Sequence, residues 1–120
     1  LRLDDRLGLA QNYYNDRDLL AVIQMYLGNS KKTISIRKSL FPLVKKLDKD
    51  KFYYKYFLNL GVTFSHIRQF DSARYYFQNA YAYTMPNTFH RAIVVVNLAF
   101  LNYNLKQFSK TIQYGKEAAS

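Results

Sequence analysis

FLNLGVTFSHIRQFDSARYYFQNAYAYTMP, residues 57–86, has the most regular apolar pattern in this 120-residue chain. Its first part reads F-x-x-L-G-x-x-F from Phe57, and its second part reads A-x-x-x-F-x-x-A from Ala73. Spacings of three and four residues place each set on one face of a helix. The segment Arg68–Asp71 interrupts the pattern, and a proline ends it. The stretch therefore predicts two antiparallel helices joined by a short turn.

The rest of the chain also reads as helices separated by turn residues. The apolar run 93–96 lies within segment 87–105, which contains neither Gly nor Pro, so we expect a buried helix rather than a strand there. Asp16 is expected to cap a helix that ends at Gly28, and Pro42 to kink or split the next one. The predicted fold class is all-α. The predicted domain is 1–120, with helix pairs at about 16–50, 51–86 and 87–120 and with 1–14 as the end of a preceding helix.

The apolar positions also predict which faces are buried and where helices begin. Ser30 is expected to cap the second helix, and Asn87 or Thr88 the helix that follows Pro86. The predicted inner faces are Leu19, Leu20, Ile23 and Leu27 in the first helix, and Tyr53, Phe57, Leu60, Phe64 and Ile67 in the helix that begins near residue 51.

The sequence repeats at a long interval. Asn59-Leu60-Gly61 recurs as Asn97-Leu98-Ala99, and Leu20-Ala21 stand in the place of Leu60-Gly61 one repeat earlier. Only the middle repeat is regular. In the first repeat Thr33, Arg37 and Leu40 stand at the places of Ala73, Phe77 and Ala80, and in the last Asn102 and Gly115 stand at those of Phe64 and Phe77. We expect Gly61, Ala73, Ala80 and Ala99 to let helices approach closely, and Phe57, Phe64 and Phe77 to fill the space between them.

This pattern resembles the tetratricopeptide repeat, in which helix pairs stack into a right-handed superhelix. The interval is about one helical turn longer than the usual one. Such long, degenerate repeats are more narrowly similar to the C-terminal sensor domains of peptide-pheromone-responsive transcriptional regulators of Gram-positive bacteria. The resemblance implies a concave groove that binds an extended peptide or protein segment, with the residue before the Leu-Gly or Leu-Ala pair facing that groove. The implied groove residues are Asn59, Lys55, Val62 and His66 in one repeat, and Asn97, Ile93, Phe100 and Asn104 in the next.

Composition limits the other possibilities. The chain has no cysteine and no visible export signal, which favours a cytoplasmic location, and no apolar run approaches the ~18 residues of a membrane span. It lacks an initiator methionine, so we expect it to be part of a longer protein. Its two histidines, His66 and His90, have no acidic or histidine partner one helical turn away, and its four glycines form no phosphate loop. We therefore expect no catalytic residue, metal or cofactor, and no enzyme.

The net charge of +10 leaves an alternative open. Segment 31–51 contains eight of the eighteen Lys and Arg residues and only Asp48 and Asp50 as acids. Such a segment is either a solvated helix face or a nucleic-acid-binding patch. In the regulator interpretation, DNA would be contacted only by a domain that these residues do not include. A third interpretation is a scaffold or homodimerisation module, because Ile112, Gly115 and Ala119 predict an uncovered face of small and apolar residues near the end of the sequence.

Overall fold

A computed structural model describes residues 3–105 and 108–119 of the chain, without the side chains of residues 3, 4 and 108–112. The described residues form seven α-helices and no β-strand, which confirms the all-α prediction. The helices are α1 (Leu3–Tyr26), α2 (Ser30–Ser39), α3 (Phe41–Leu47), α4 (Asp50–His66), α5 (Phe70–Ala82), α6 (Phe89–Asn104) and α7 (Phe108–Ala119).

The first helix corrects one prediction. We expected a turn and an N-cap at Asn15-Asp16, but α1 is continuous through both residues. Both side chains are exposed, so they remain hydrated in the helix and the backbone hydrogen bonds continue past them. Residues 3–14 therefore belong to the same helix as residues 16–26 and are not the end of a separate one.

Other helix ends agree more closely with the sequence. The helix containing Pro42 is split, because α2 ends at Ser39 and α3 begins at Phe41, so that Pro42 lies in the first turn of α3, where its missing N–H is not needed. The Thr88 hydroxyl accepts a hydrogen bond from the Arg91 amide at 3.2 Å, as expected for an N-cap of α6. The predicted Ser30 cap is off by one residue, because Asn29 precedes the helix.

Two turns, one after α1 and one after α4, have the same backbone structure. After α1, Gly28 has a φ of 80°, and the Asn29 amide donates to the Gln24 carbonyl at 2.9 Å. After α4, Arg68 has a φ of 62°, and the Gln69 amide donates to the Phe64 carbonyl at 2.9 Å. Both turns thus end a helix with a left-handed residue that returns the chain alongside it.

Contacts within the pairs show that consecutive helices run antiparallel. Between α4 and α5, the early Tyr53 ring stacks on the late Tyr83 ring with centroids 4.7 Å apart, and the late Phe64 ring stacks on the earlier Tyr76 ring at 5.3 Å. Between α1 and α2, the Thr33 hydroxyl donates to the Ala21 carbonyl. Each pair also packs on the next one, since α2 and α3 contact α4, and α5 contacts α6.

The centre of the core is a close contact between α4 and α5. Phe77 is 1% exposed, and its ring lies against the backbone of Gly61. Around them Leu60, Ala73 and Ala80 are also fully buried. The small residues of the middle repeat therefore allow the close helix approach that the sequence predicted.

The predicted inner faces are only partly correct. In α1, Leu19, Ile23 and Leu27 are 60%, 45% and 67% exposed, whereas Tyr14 and Ala21 are buried, because α1 contacts α2 through the side that carries Ala21. In α4, Phe57, Leu60 and Phe64 are buried as predicted, while Tyr53 is only half-buried. Helix α4 also buries Phe52, Tyr54 and Tyr56, because it packs on α2, α3, α5 and α6 rather than on one neighbour.

The contact between Gly61 and Phe77 gives a first prediction. A Cβ atom at residue 61 would lie 2.5 Å from Cδ1 of Phe77, so Gly61→Ala should lower the free energy of unfolding by about 1–3 kcal/mol. Phe77→Leu should lower the free energy of unfolding less in the Gly61→Ala variant than in the wild type, because the smaller side chain relieves the clash. Chemical denaturation of the four proteins measures this coupling.

Gly8→Ala is the matched control, since a Cβ at Gly8 of α1 would meet nothing within 4 Å. It should be neutral or stabilising by up to about 1 kcal/mol, as for an exposed helix position. An equal loss of stability in Gly61→Ala and Gly8→Ala would contradict the packing described for Gly61.

The buried tyrosines predict a loss of stability at high pH. Burial is the largest cause that raises the pKa of Tyr56 from 10.0 to about 12, and the nearby Tyr76 and Tyr75 add to it. Burial also raises the pKa of Tyr14, with a smaller contribution from the charge of Asp18. The folded chain thus keeps these phenols protonated while the unfolded chain ionises. Their contribution is complete below pH 10 and should be lost as the pH rises towards 12. The measurement is thermal melting from pH 8 to 11, about the range of phenol ionisation. Over this range the melting temperature of Tyr56→Phe should fall less than that of the wild type. The exposed control Tyr26→Phe should fall as much as the wild type.

Candidate functional site

A cavity between α1 and α4 collects several of the predicted groove residues. Its volume is about 420 Å³, which lies in the range of small-ligand sites. Helix α4 contributes Asn59, Val62 and His66, all of which the sequence placed in the groove. The remaining lining residues are Val22, Met25 and Tyr26 of α1, Arg37 of α2 and Thr63 of α4.

A hydrogen-bonded group of three side chains joins the helices beside this cavity. Nη1 of Arg37 donates to Oδ1 of Asp18 in the one salt bridge between described residues. Nδ2 of Asn59 donates to the same carboxylate oxygen at 3.1 Å. Asp18 of α1 therefore binds α2 and α4 at once. The charge of Asp18 also acts on Tyr14 of α1. Burial is the main cause of the raised pKa of the Tyr14 phenol, and the Asp18 charge is the second.

The predicted pair of groove asparagines is not equivalent in the structure. Asn59 is half-buried, and one N–H of its amide is already bound to Asp18. Asn97 lies on α6, where its Nδ2 donates to the Ile93 carbonyl of its own helix at 2.8 Å. Asn104 bonds in the same way to the Phe100 carbonyl at 3.0 Å. The amides of Asn97 and Asn104 thus donate to carbonyl groups of their own helix, whereas the amide of Asn59 links two helices.

The other predicted residues divide between two places. His66 lines the cavity, and Lys55 is exposed on α4. Asn97 and Ile93 line a separate shallow depression of about 250 Å³, together with Phe89, Ala92 and Val96. Phe100 continues along the same helix and is 64% exposed. The structure therefore brings Asn59, Val62 and His66 together and leaves the α6 residues on a second surface.

Helix α6 carries an exposed apolar stripe. Its four exposed members follow one another at spacings that keep them on one side of a helix. Ile93, half-buried, lies between the first two. The exposed members of this α6 stripe are Phe89, Val96, Phe100 and Tyr103.

The residue that sequence reasoning missed is Arg37. It occupies the place that Phe77 takes in the middle repeat, yet it is only 8% exposed. A buried arginine needs an acidic or other polar partner, and Asp18, one helix earlier, supplies it. The signal was present in the sequence as a charge at a core position, but its partner depended on how α1 and α2 pack.

A second cavity, of about 410 Å³, lies where the start of α6 meets the end of α7. Its charged groups are already engaged. Arg91 donates to the hydroxyl and the carbonyl of Thr84 and lies 4.3 Å from the Tyr81 ring centroid, and Glu117 accepts from the Tyr81 hydroxyl at 2.8 Å. The cavity between α1 and α4 is the stronger candidate because it brings together three residues that the sequence placed in the groove, Asn59, Val62 and His66.

The basic segment 31–51 covers nearly all of α2, all of α3 and the start of α4, and its lysines lie on the exposed side of these helices. Arg37 is its one buried cation, and the described residues provide no carboxylate within 4.0 Å of its lysines. Three of the lysines cover aromatic rings, at 5.1 to 5.6 Å from the ring centroids, which supports core packing as well as charge. The exposed lysines are Lys31, Lys32, Lys38, Lys45, Lys46, Lys49 and Lys51.

Three further observations concern the chain more broadly. Within the described ranges, no three His, Cys, Asp or Glu side chains are grouped closely enough to hold a metal ion. None of the helices in the described residues is both long and apolar enough to cross a membrane. Comparisons of the chain with protein-family models, curated proteins and solved structures find no match. A ligand for the cavity is therefore a matter of proposal, made from the chemistry of its lining.

The bonds around Asp18 predict its effect on stability. Asp18→Ala would leave Arg37 buried without its anion. Because the Asp18 side chain is 31% exposed, we expect a loss of about 1–3 kcal/mol, between the values for buried and exposed ion pairs. Asp18→Ala/Arg37→Met removes both charges and should recover much of this loss.

Asp16→Ala provides the control, because Asp16 is an exposed acid on the same helix. Its melting temperature should stay within a degree or two of the wild type, about the effect of a surface substitution. If Asp18→Ala melts at the same temperature as Asp16→Ala, the three-residue group does not hold α1, α2 and α4 together.

Proposed function

We propose that this chain is a tetratricopeptide-like interaction domain that binds an extended peptide or protein segment. The observation that carries the proposal is the cavity between α1 and α4. It combines three apolar side chains and the ring of Tyr26 with an amide, an imidazole, a guanidinium and the hydroxyl of Thr63. Such a mixture of apolar walls and few polar groups is typical of binding sites. We propose binding without catalysis.

The repeat interpretation is supported by the way helix ends recur. Helices α1 and α4 end at Tyr26 and His66, and helices α2 and α5 begin at Ser30 and Phe70, so both boundaries recur at the same interval in the sequence. Helix α6 ends at Asn104, which follows His66 at nearly that interval. The antiparallel pairs and the contacts from each pair to the next are those expected of a stacked repeat. A right-handed superhelix is the arrangement that we propose for them.

A narrower proposal is that the domain is the peptide sensor of a transcriptional regulator. Its support is the sequence resemblance and the position of Asn59, Val62 and His66 around one cavity. In this proposal a different part of the full protein contacts DNA. Peptide binding at the cavity changes how the sensor packs on that DNA-binding part. The side chains of α1 and α4 that meet at the cavity are the ones through which a ligand would act.

Two other functions have a specific observation in their favour. The lysines of segment 31–51 form an exposed cationic surface, which is suited to nucleic acid. The α6 stripe is an exposed apolar surface, which is suited to a scaffold or to a second copy of the chain. Neither surface offers the cavity and the polar groups of the α1–α4 site, so peptide binding remains the function that we propose.

Binding of short peptides tests the proposal. The probe is a pool of synthetic peptides, about seven to ten residues long, the length of an extended segment that spans neighbouring helices, with apolar and small side chains and free termini. Affinity selection with mass spectrometry identifies bound members, and fluorescence anisotropy measures their dissociation constants. Val62→Gln puts a polar amide on the apolar wall and should weaken binding by about tenfold.

Leu9→Gln is the matched control, because Leu9 is an exposed leucine of α1 outside the cavity. It should leave peptide affinity unchanged. The proposal fails if no peptide is selected, or if Val62→Gln and Leu9→Gln bind equally well. DNA affinity that falls steeply with salt, without peptide binding, would instead favour the function assigned to segment 31–51.

A further inference from the structure

Helices α2 and α3 share one continuous buried side. Only Leu40 separates the two helices, and its backbone is also right-handed helical. The buried residues continue across this break at spacings of three and four residues, which keep them on one side of a helix. They are Thr33, Arg37, Leu40, Val44 and Leu47. The opposite side of α2 and α3 therefore forms a single exposed surface.

Five exposed lysines lie on that surface in two rows. Lys31, Lys38 and Lys45 follow one another at intervals of seven residues, and Lys32 and Lys46 form the second row. Seven residues are two helical turns, or about 10 Å. Because adjacent residues of a helix are about 100° apart, the two rows lie along the two edges of the exposed side. Neither helix contains an acidic residue. We call these five residues the α2–α3 lysine surface.

The α2–α3 lysine surface lacks the apolar side chains on which other kinds of contact depend. In segment 31–51, all of which the structure describes, every Leu, Ile, Val and Phe side chain is buried or half-buried. Protein interfaces gain most of their affinity from aromatic or apolar anchors, and helices on a membrane insert an apolar face. Single-stranded nucleic acid is held by exposed rings on which bases stack. Contacts to the phosphates of a duplex need only cations.

We propose that the α2–α3 lysine surface binds duplex DNA, with its lysines on phosphates of both strands. A single lysine does not select among anions, but two rows on the edges of a helix match the two walls of a groove. The major groove of B-DNA is about 12 Å wide and admits a helix, whereas that of duplex RNA is too narrow for side chains. Helices α2 and α3 contain no Asn or Gln, so we expect backbone contacts with little dependence on base sequence.

This inference goes beyond peptide binding and concerns another side of α2. Of the α2 residues, all of which the structure describes, Arg37 alone lines the α1–α4 cavity, and it lies on the buried side. A peptide and DNA would therefore contact opposite sides of the same helix and can bind together. The contact is made by this chain itself and adds to the DNA contact that the regulator proposal assigns to another part of the full protein.

The salt dependence of DNA binding tests the proposal. The probes are fluorescent duplexes of about 20 base pairs, or two turns of B-DNA, in two unrelated sequences. Fluorescence anisotropy gives the association constant between about 50 and 200 mM salt. Five phosphate contacts predict a slope of about −4.5 when the logarithm of this constant is plotted against that of the salt concentration. The two sequences should bind within about threefold of each other, whereas specific sites differ by roughly a thousandfold or more.

A double variant connects this affinity to the α2–α3 lysine surface. Lys38 and Lys45 cover aromatic rings, so the variant is Lys32→Gln/Lys46→Gln, whose folding is checked by circular dichroism and thermal melting. Its slope should be shallower by about 2. At about 50 mM salt it should bind duplex DNA at least tenfold more weakly than the wild type. Peptides selected with the wild type should bind it with unchanged affinity.

The matched control is Arg6→Gln/Lys116→Gln. It removes the same net charge from exposed positions of α1 and α7. Its affinity for DNA should stay within about twofold of the wild type, because salt screens charges that do not touch the duplex. If both double variants lose the same affinity, net charge alone explains the binding and the proposal is wrong. A wild-type slope shallower than about −2 would also contradict it.

Other polyanions test the choice of duplex DNA. Duplex RNA that binds as tightly as DNA of the same sequence would rule out the major-groove arrangement. Polyglutamate and phosphatidylserine vesicles are added as competitors at equal concentrations of negative charge. If either displaces the labelled duplex as well as unlabelled DNA does, the surface belongs to an acidic protein or a membrane instead. None of these results affects peptide binding at the α1–α4 cavity, which is measured separately.

Discussion

The close contact of α4 with α5 is the constraint on which the rest of the structure depends. It exists because residue 61 has no side chain, which leaves room for the Phe77 ring against the α4 backbone. Helix α4 then packs on α2, α3, α5 and α6, so its position determines where the neighbouring helices lie. A single small residue opposite a large one thereby sets the spacing for a core that extends through the middle of the chain.

The first helix pair solves the same packing problem with charges. Arg37 stands where Phe77 stands in the next pair, and its bond to Asp18 joins α1 to α2. An ion pair fills space less completely than an aromatic ring and requires further polar partners. Asn59 is one such partner, and a cavity lies beside the group. The departure from the repeat pattern and the best candidate site therefore have the same physical origin.

Sequence reasoning succeeded where local rules decide the structure. The helix pair of residues 57–86, the split at Pro42 and the Thr88 cap depend on periodicity, a missing N–H and a nearby hydroxyl, all of which are visible in the sequence. It failed where packing decides. The exposure of Leu19 follows from which side of α1 meets α2. Asn59, Val62 and His66 line one cavity, but the link from Asn59 to Asp18 joins residues that are far apart in the sequence, which no local pattern indicates.

The distribution of charge and apolar surface suggests how these parts act together. The exposed lysines of segment 31–51 lie on α2, on α3 and at the start of α4, whereas Arg37 of α2 is buried and lines the cavity. Surface charge attracts anions without selecting among them, because water screens it. The Arg37 guanidinium is largely removed from water and is bonded to Asp18, so its charge is screened less by water and is directed to one partner. Because Asp18 connects this guanidinium to α1 and to Asn59 of α4, the position of one side chain depends on the packing of three helices.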